Sequence, residues 1–550
     1  MAVSTSRRLL DSLRCGAWSV SHWMARHPWL VALLAFAFVL RASTIPSGLP
    51  IGHGHGLHPD EQKYLAPAVQ FLKFYGSTRP FPLYGTSLQY LLGPLLAPLY
   101  VAAKLLGVEQ LYQIVALLLC RTVVVATGAL TVLLTYRMTG LLTDKATAWI
   151  AASLVAVAPY HVLNSAWFTI DVPMSALLAV NALLLLRLRS DQRPRNWILL
   201  GAGIGFMAGT KLSSLVFLVI PLTMLLTGWL SFPDRRQACR QAALLAITGL
   251  LTFAVLNPQF FLGFEKFAAR VARDKDDFWD RVDPGSFSRA AWIQLESYSK
   301  GVGLLVTVLF PAGLLLSALR DWRFALPWIA FLACYSLFFR HYMLARYTIF
   351  VTPLVCMFAA IAIRSVGHSF RPRGRLMVPV ITGLVVCASL LAAVAGITAR
   401  IWDPRITASR YISEHYAPGT RVAFSIDSED YAGTHRWRFP RLDTSVYPET
   451  FIWESPDLVV TSAHAFAPIE AALESEHIDD QYNWDPQHND WWYRYSPPSP
   501  RMLAFYDEML NGYSYTLVAS FERPLRMLPA AEFSGGEIRV YERLRGGPGR

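Results

Sequence analysis

The residues best placed to do chemistry lie in His58-Pro59-Asp60-Glu61-Gln62-Lys63-Tyr64, where two adjacent carboxylates stand at a helix start. Pro59 ends the extended segment before them, and acids suit the first helical turn electrostatically. Left alone, the pair would be a solvated helix N-terminus. Placed near an acceptor hydroxyl, a carboxylate can act as general base. Negative charge also stabilises an oxocarbenium-like transition state. A third acid, Asp171, sits in Trp167-Phe168-Thr169-Ile170-Asp171-Val172-Pro173, near the start of an apolar helix. An acid in an apolar run is costly, which makes it a functional candidate; its plainer reading is a charge paired with a base or reaching the interface.

Cations that could face these acids are Lys211, in Gly209-Thr210-Lys211, and Arg346, beside Tyr347 and just after His341 and Tyr342. Fixed cations stabilise charge building on a leaving phosphate, and arginine can grip phosphate with two parallel bonds. Interfacial anchoring competes with that reading, most strongly for Arg340. Lys211 could instead pair with Asp171 or Asp60. The histidines of His53-Gly54-His55-Gly56-Leu57-His58 could hold a divalent metal with Asp60 nearby, although the spacing matches no zinc signature. A flexible Gly/His loop lining a site is the alternative. No phosphate-binding loop, nucleophile elbow or His-Glu-x-x-His sequence occurs.

These residues must be positioned by a membrane protein. Of 550 residues, 54% are hydrophobic and only 16% charged, and mean hydropathy is +0.34. A soluble chain would carry nearer a quarter charged residues. Aromatics reach 13%, which suits two membrane interfaces. The net charge of +12 falls in clusters between apolar runs, where it sets topology rather than binding nucleic acid. The six cysteines suggest neither a disulfide framework nor a metal site. Arginines at 7, 8, 14 and 26 precede the first apolar run, which reads as an uncleaved helix with a cytoplasmic N-terminus.

Twelve apolar runs can be drawn: 28–45, 86–107, 112–136, 145–161, 168–188, 196–210, 212–231, 238–256, 300–319, 323–339, 346–364 and 376–397. If all crossed, the basic loop 187–195 would face outside. Run 86–107 holds Gly93, Pro94, Pro98 and Lys104, and leaving it on the outer side puts every basic cluster inside. The expectation is therefore a mainly α, polytopic fold with about eleven spans. It divides into a membrane domain, 1–397, with outer loops 46–111 and 257–299, and an extracytoplasmic α/β domain, 398–550. In the latter, strands are expected at 421–426, 458–462, 515–521 and 537–541, and helices at 406–415, 468–476 and 501–511.

In this order the motifs resemble the GT-C glycosyltransferases, in particular the superfamily of protein O-mannosyltransferases and lipid A aminoarabinose transferases. The resemblance runs over about residues 28–364: Asp60-Glu61 in a first outer loop, Asp171, Gly-Thr-Lys211, Asn257-Pro258, then Arg346-Tyr347. It implies inverting transfer from a polyprenyl-phosphate monosaccharide to a protein, lipid or glycan acceptor in the cell envelope. Asp60 would be the base or the acceptor-binding acid, supported by Glu61. Asp171, His58, Tyr64 and Asn257 would bind acceptor or donor. Lys211, Arg346, Tyr347 and His341 would meet the donor phosphate. The second outer loop is too short for the β-trefoil of the eukaryotic members, which points to a prokaryotic one. A transporter or flippase of lipid-linked sugars is the competing class, but it would place ionisable groups near the bilayer midplane and often show inverted repeats.

Overall fold

The computed structural model describes residues 24–47, 85–230, 234–266, 287–339, 345–369, 374–417, 419–424, 443–445, 456–462, 507–512, 514–522 and 537–544, with a few isolated positions that include Glu61, Tyr64, Leu65 and Ala68. Asp60, His53, His55, His58 and His341 lie outside the described residues.

The membrane part is a bundle built from α1 (Pro28–Ala42), α2 (Ser87–Leu106), α3 (Glu109–Leu142), α4 (Lys145–Val157), α5 (Pro159–Asn164), α6 (Asp171–Arg187) and α7 (Pro194–Thr210). A 3-10 turn, Leu212–Leu218, leads into α8 (Val219–Leu226). Then come α9 (Arg235–Leu256), α10 (Pro258–Leu262), α11 (Phe287–Val302), α12 (Leu304–Arg320), α13 (Trp322–Phe338), α14 (Thr348–Ser369) and α15 (Gly374–Ile401). Among the described residues, five helices are long and apolar enough to cross a membrane, six if one bent pair counts as a span; four more apolar helices have 10–17 residues. The chain is an integral membrane protein. Its α2 is one continuous helix with Pro94 and Pro98 inside it, and it meets the length and apolarity of a span.

Helix α14 is the axis. Ile349, Val351, Leu354, Val355, Cys356, Met357, Phe358 and Ile363 are all fully buried, so its faces are apolar all round, as a central helix requires. By contrast α9 is peripheral and shows much of its apolar surface. It docks on α7 through glycines: a Cβ at Gly205 would lie 2.1 Å from the Gly249 carbonyl oxygen, and one at Gly201 would lie 2.4 Å from that of Leu245. Backbones meet there, the small-residue packing that membrane helices favour.

Two expected runs are broken. Run 145–161 splits at Ala158-Pro159 into α4 and α5, because Pro159 has no N–H to continue the helix. Run 300–319 begins earlier, as α11, and turns by 110° into α12 at Gly303, whose φ is +95°. The loop 257–299 therefore contains a helix that the apolar pattern did not indicate, since α11 has a polar face.

After α15, Asp403 caps α16 (Pro404–His415) by accepting from the Arg405 N–H at 2.9 Å. Five strands follow: β1 (Arg421–Phe424), β2 (Asp443–Ser445), β3 (Leu458–Ser462), β4 (Tyr515–Phe521) and β5 (Ile538–Arg543). Their order is β2-β1-β3-β5-β4, parallel across β2-β1-β3 and antiparallel across β3-β5-β4. Residues Leu458, Val459, Val460 and Thr461 are all buried, as expected of a central strand covered on both faces. Ala408 and Ile412 of α16 pack on Val422, Val460 and Val540. Four strands agree with expectation, β2 was not foreseen, and the expected helix 468–476 lies outside the described residues.

Candidate functional site

Asp171 opens α6 in its first turn and is 8% exposed. Its Oδ1 accepts from the Lys211 Nζ at 3.3 Å. Lys211 follows the last residue of α7 in extended conformation, φ −154°, so the chain leaves the helix there and presents the side chain sideways. The same Nζ lies 4.3 Å from the centroid of the Tyr347 ring, and the Arg346 guanidinium carbon lies 5.6 Å from it. Tyr347 is fixed from behind, where the Tyr335 hydroxyl donates to its carbonyl at 2.7 Å. One acid, two cations and a ring thus converge from α6, the end of α7 and the 3-10 turn Ala345–Tyr347. Of the partners the sequence left open for Lys211, Asp171 is one that it meets; Asp60 lies outside the described residues.

Glu61 is deeply buried, 1% exposed. Its two oxygens accept from Nε and Nη2 of Arg121 at 2.8 and 2.7 Å, a two-pronged pair. Oε1 also accepts the Phe168 N–H at 2.8 Å. Arg121 donates further to the carbonyls of Ile45 and Ser47. Glu61 therefore ties the first loop to α3 and to the segment just before Asp171. Tyr64 is buried near it in the core.

Asn257 is also a tie. Its Oδ1 accepts from the Thr86 N–H and hydroxyl at 2.9 and 3.1 Å, and its amide donates to Ser87 Oγ and the Phe253 carbonyl at 3.0 and 3.1 Å. A Cβ at Gly85 would sit 1.7 Å from the Gly209 carbonyl, and one at Gly209 2.1 Å from the Asn257 amide. The start of α2, the end of α9 and the Gly209-Thr210-Lys211 turn are locked together, two residues from the cation that meets Asp171. Among the described residues, no three His, Cys, Asp or Glu side chains gather as a metal group; the histidines named for that role fall outside them.

Residues 109–260 match the family described as dolichyl-phosphate-mannose-protein mannosyltransferase. The oligosaccharyltransferase of Archaeoglobus fulgidus in its apo form superposes with a TM-score of 0.53 over 95% of this chain and 89% of that one, at 12% identity. The same archaeal protein, AglB, in complex with an inhibitory peptide and a dolichol-phosphate, gives 0.50 over 95% and 89%, at 12% identity. The chain has the GT-C fold. ArnT from Cupriavidus metallidurans, in the apo state, is 15% identical and gives a TM-score of 0.47 over 81% of this chain and 95% of that one. Comparison with curated proteins finds no match.

The GT-C scaffold holds charged residues that sequence reasoning missed. Arg400, at the end of α15, is 4% exposed. It donates to the carbonyls of Leu163 and Ala166 at 2.7 and 3.4 Å, and its guanidinium carbon lies 3.2 Å from the Trp167 ring centroid; that of Arg121 lies at 4.9 Å. Arg41 donates to the carbonyls of Ala37, Ala156 and Val155 and contacts His161 Nδ1 at 3.0 Å. His161 Nε2 in turn meets Ser175 Oγ at 2.9 Å, one turn into α6. The signal was present: Arg41, Arg121 and Arg400 each stand in or beside an apolar run, and the rule that flagged Asp171 applies to them too.

Proposed function

We propose that this GT-C chain is a glycosyltransferase that moves a monosaccharide from a polyprenyl-phosphate donor to a hydroxyl of an extracytoplasmic protein, lipid or glycan, with inversion. The observation that carries this is the contact between Lys211 and Asp171 beside Tyr347 and Arg346. In this reading Asp60, next to the anchored Glu61, takes the proton from the acceptor hydroxyl. The acceptor oxygen bonds to the anomeric carbon. The bond from that carbon to the phosphate oxygen breaks, and its electron pair stays on the phosphate. Lys211 and Arg346 stabilise that charge, with Tyr347 beside them, and His341 is assigned to the same phosphate by the family resemblance. Asp171 orients Lys211 and helps hold the sugar, and Asn257 fixes the turn that carries Lys211.

Orientation follows the same logic. Arg187, Arg235, Arg236, Arg320 and Arg364 all lie at the bundle end opposite Asp171, which supports a cytoplasmic position for that end by the positive-inside rule and an outer one for the site. The site groups sit at helix ends rather than mid-bundle, which favours an enzyme over a carrier of lipid-linked sugars. The test uses the full chain in nanodiscs with radiolabelled polyprenyl-phosphate mannose or aminoarabinose and a mixed acceptor extract. Lys211→Met and Asp171→Asn should each lose turnover by about 10²–10³ while remaining monodisperse. New glycosidic product formed equally by wild type and Lys211→Met would refute the reading, as would donor translocation without product.

A further inference from the structure

At the far end of α6, 17 residues long and so about 24 Å from Asp171, the bundle has a cleft of about 270 Å³. Ala148 and Leu183 form its buried floor, and Gly140 and Leu141 form one wall. Arg137, Lys145 and Arg187, all exposed, stand around its mouth. Helices α3 and α4 face each other here without crowding, since a Cβ on Gly140 would be an ordinary 3.7 Å from that of Ala148. The cations have no counter-charge among the described residues, because the nearest acids are engaged elsewhere. Asp144 caps α4 at Thr147 and pairs with Arg364 at 3.1 Å. Asp191 pairs with Arg193 and Arg195.

We propose that this cleft binds the phosphodiester headgroup of one anionic phospholipid from the leaflet opposite the transfer site. Its depth in the membrane fits. The apolar stretch of α3 ends at Leu142, so the cleft lies where acyl chains give way to headgroups. Tyr136 packs its ring 5.4 Å from that of Trp149 at the same level, an aromatic pair of the kind that marks an interface. An apolar floor under a cationic rim matches a glycerol backbone under a phosphate, and basic pockets between membrane helices are known binders of such headgroups. The volume is just under the roughly 300–1,000 Å³ of ordinary small-molecule pockets, which suits a headgroup better than a larger soluble ligand.

The test is native mass spectrometry of the purified full chain, released from micelles holding equal dioleoyl-phosphatidylglycerol and dioleoyl-phosphatidylcholine. Wild type should retain one phosphatidylglycerol. Each cation near an anionic lipid is worth about fivefold in binding, so Arg137→Ala/Lys145→Ala/Arg187→Ala should weaken retention about 100-fold. Gly140→Trp, which fills the cleft and keeps every charge, should abolish it. Arg235→Ala/Arg236→Ala/Arg240→Ala removes as much charge elsewhere on the same end and should retain the lipid. The proposal fails if that control loses the lipid equally, if Gly140→Trp keeps it, or if soluble glycerol 1-phosphate competes as strongly as the lipid. The last outcome would assign the cleft to a free phosphate ester.

Discussion

Replacing Glu61 with Gln removes one charge from a pair whose members are 1% and 0% exposed. The nitrogen–oxygen distances of 2.7 and 2.8 Å set the charge centres about 4 Å apart, where two unit charges attract by about 4 kcal/mol at an effective dielectric of 20. Glu61→Gln would turn an amide NH₂ toward one guanidinium nitrogen, keep one neutral amide oxygen for the other, and leave the buried Arg121 charge with no anion, only that oxygen and the Ile45 and Ser47 carbonyls. Breaking a buried pair from one side costs about 3–5 kcal/mol. Arg121→Met should cost a similar amount, because Glu61 would keep the Phe168 N–H as its one remaining contact of this set. The double variant leaves no unpaired charge, so it should cost much less than the sum, with a coupling of about 3 kcal/mol. Reversible SDS titration of the purified chain in mixed micelles measures all three. Costs that add to within about 0.5 kcal/mol would refute the idea that this ion pair holds the first loop on the segment before Asp171.

Asn257→Ala strands the Thr86 N–H and unties the turn before Lys211; it should cost about 2–3 kcal/mol by the same titration and raise KM for the donor more than it lowers kcat. Burial pushes the Asp144 carboxyl up, but the Thr147 N–H and hydroxyl and the Arg364 guanidinium outweigh it, so the folded-state pKa is lowered. Its contribution is therefore complete above the unfolded value of about 3.9 and is lost as pH falls through the folded value. With Asp144 exposed and Arg364 half-buried, Asp144→Asn should cost no more than about 1 kcal/mol at pH 7, and its gap from wild type should close on acidification below about pH 4. Lys104→Cys in intact cells should react with a membrane-impermeant maleimide from outside, because α2 starts on Asn257 and runs through Gly107 into α3 before Arg121. Labelling from the cytoplasmic side alone would make α2 a span.

The sequence made Asp171 and Lys211 legible because each is a charge where apolar residues were expected, and a charge in such a place must meet a partner or a ligand. It made β3 legible as a short apolar run. It was silent on α11, where a polar face carrying Ser288, Arg289 and Glu296 interrupts the apolar residues along the chain, so that no continuous apolar run appears. It was silent on β2 for a different reason: Asp443-Thr444-Ser445 has no strand composition and pairs only because β1 offers a parallel edge. For Asn257 the sequence offers only the binding role that the family resemblance implies. Only coordinates show its amide occupied on both sides.

The buried arginines follow from one feature of the backbone. In an apolar medium every carbonyl and N–H must find a partner, and irregular chain survives only where protein supplies one. Pro159 has no N–H to return to the Val155 carbonyl, four residues back, and Arg41 donates to that oxygen at 2.9 Å. The chain between α5 and α6 is not helical, so the carbonyls of Leu163 and Ala166 turn to Arg400 and the Phe168 N–H turns to Glu61. A guanidinium has five donors in a rigid fork, which makes it the side chain best able to serve several carbonyls at once. These charges buy an ordered non-helical segment inside the membrane domain, and that segment ends at Asp171. The acid reaches Lys211 because the chain before it is held by charges from α1, α3 and α15 as well as by short turns of its own, such as the Thr169 N–H donating to the Trp167 carbonyl at 2.8 Å.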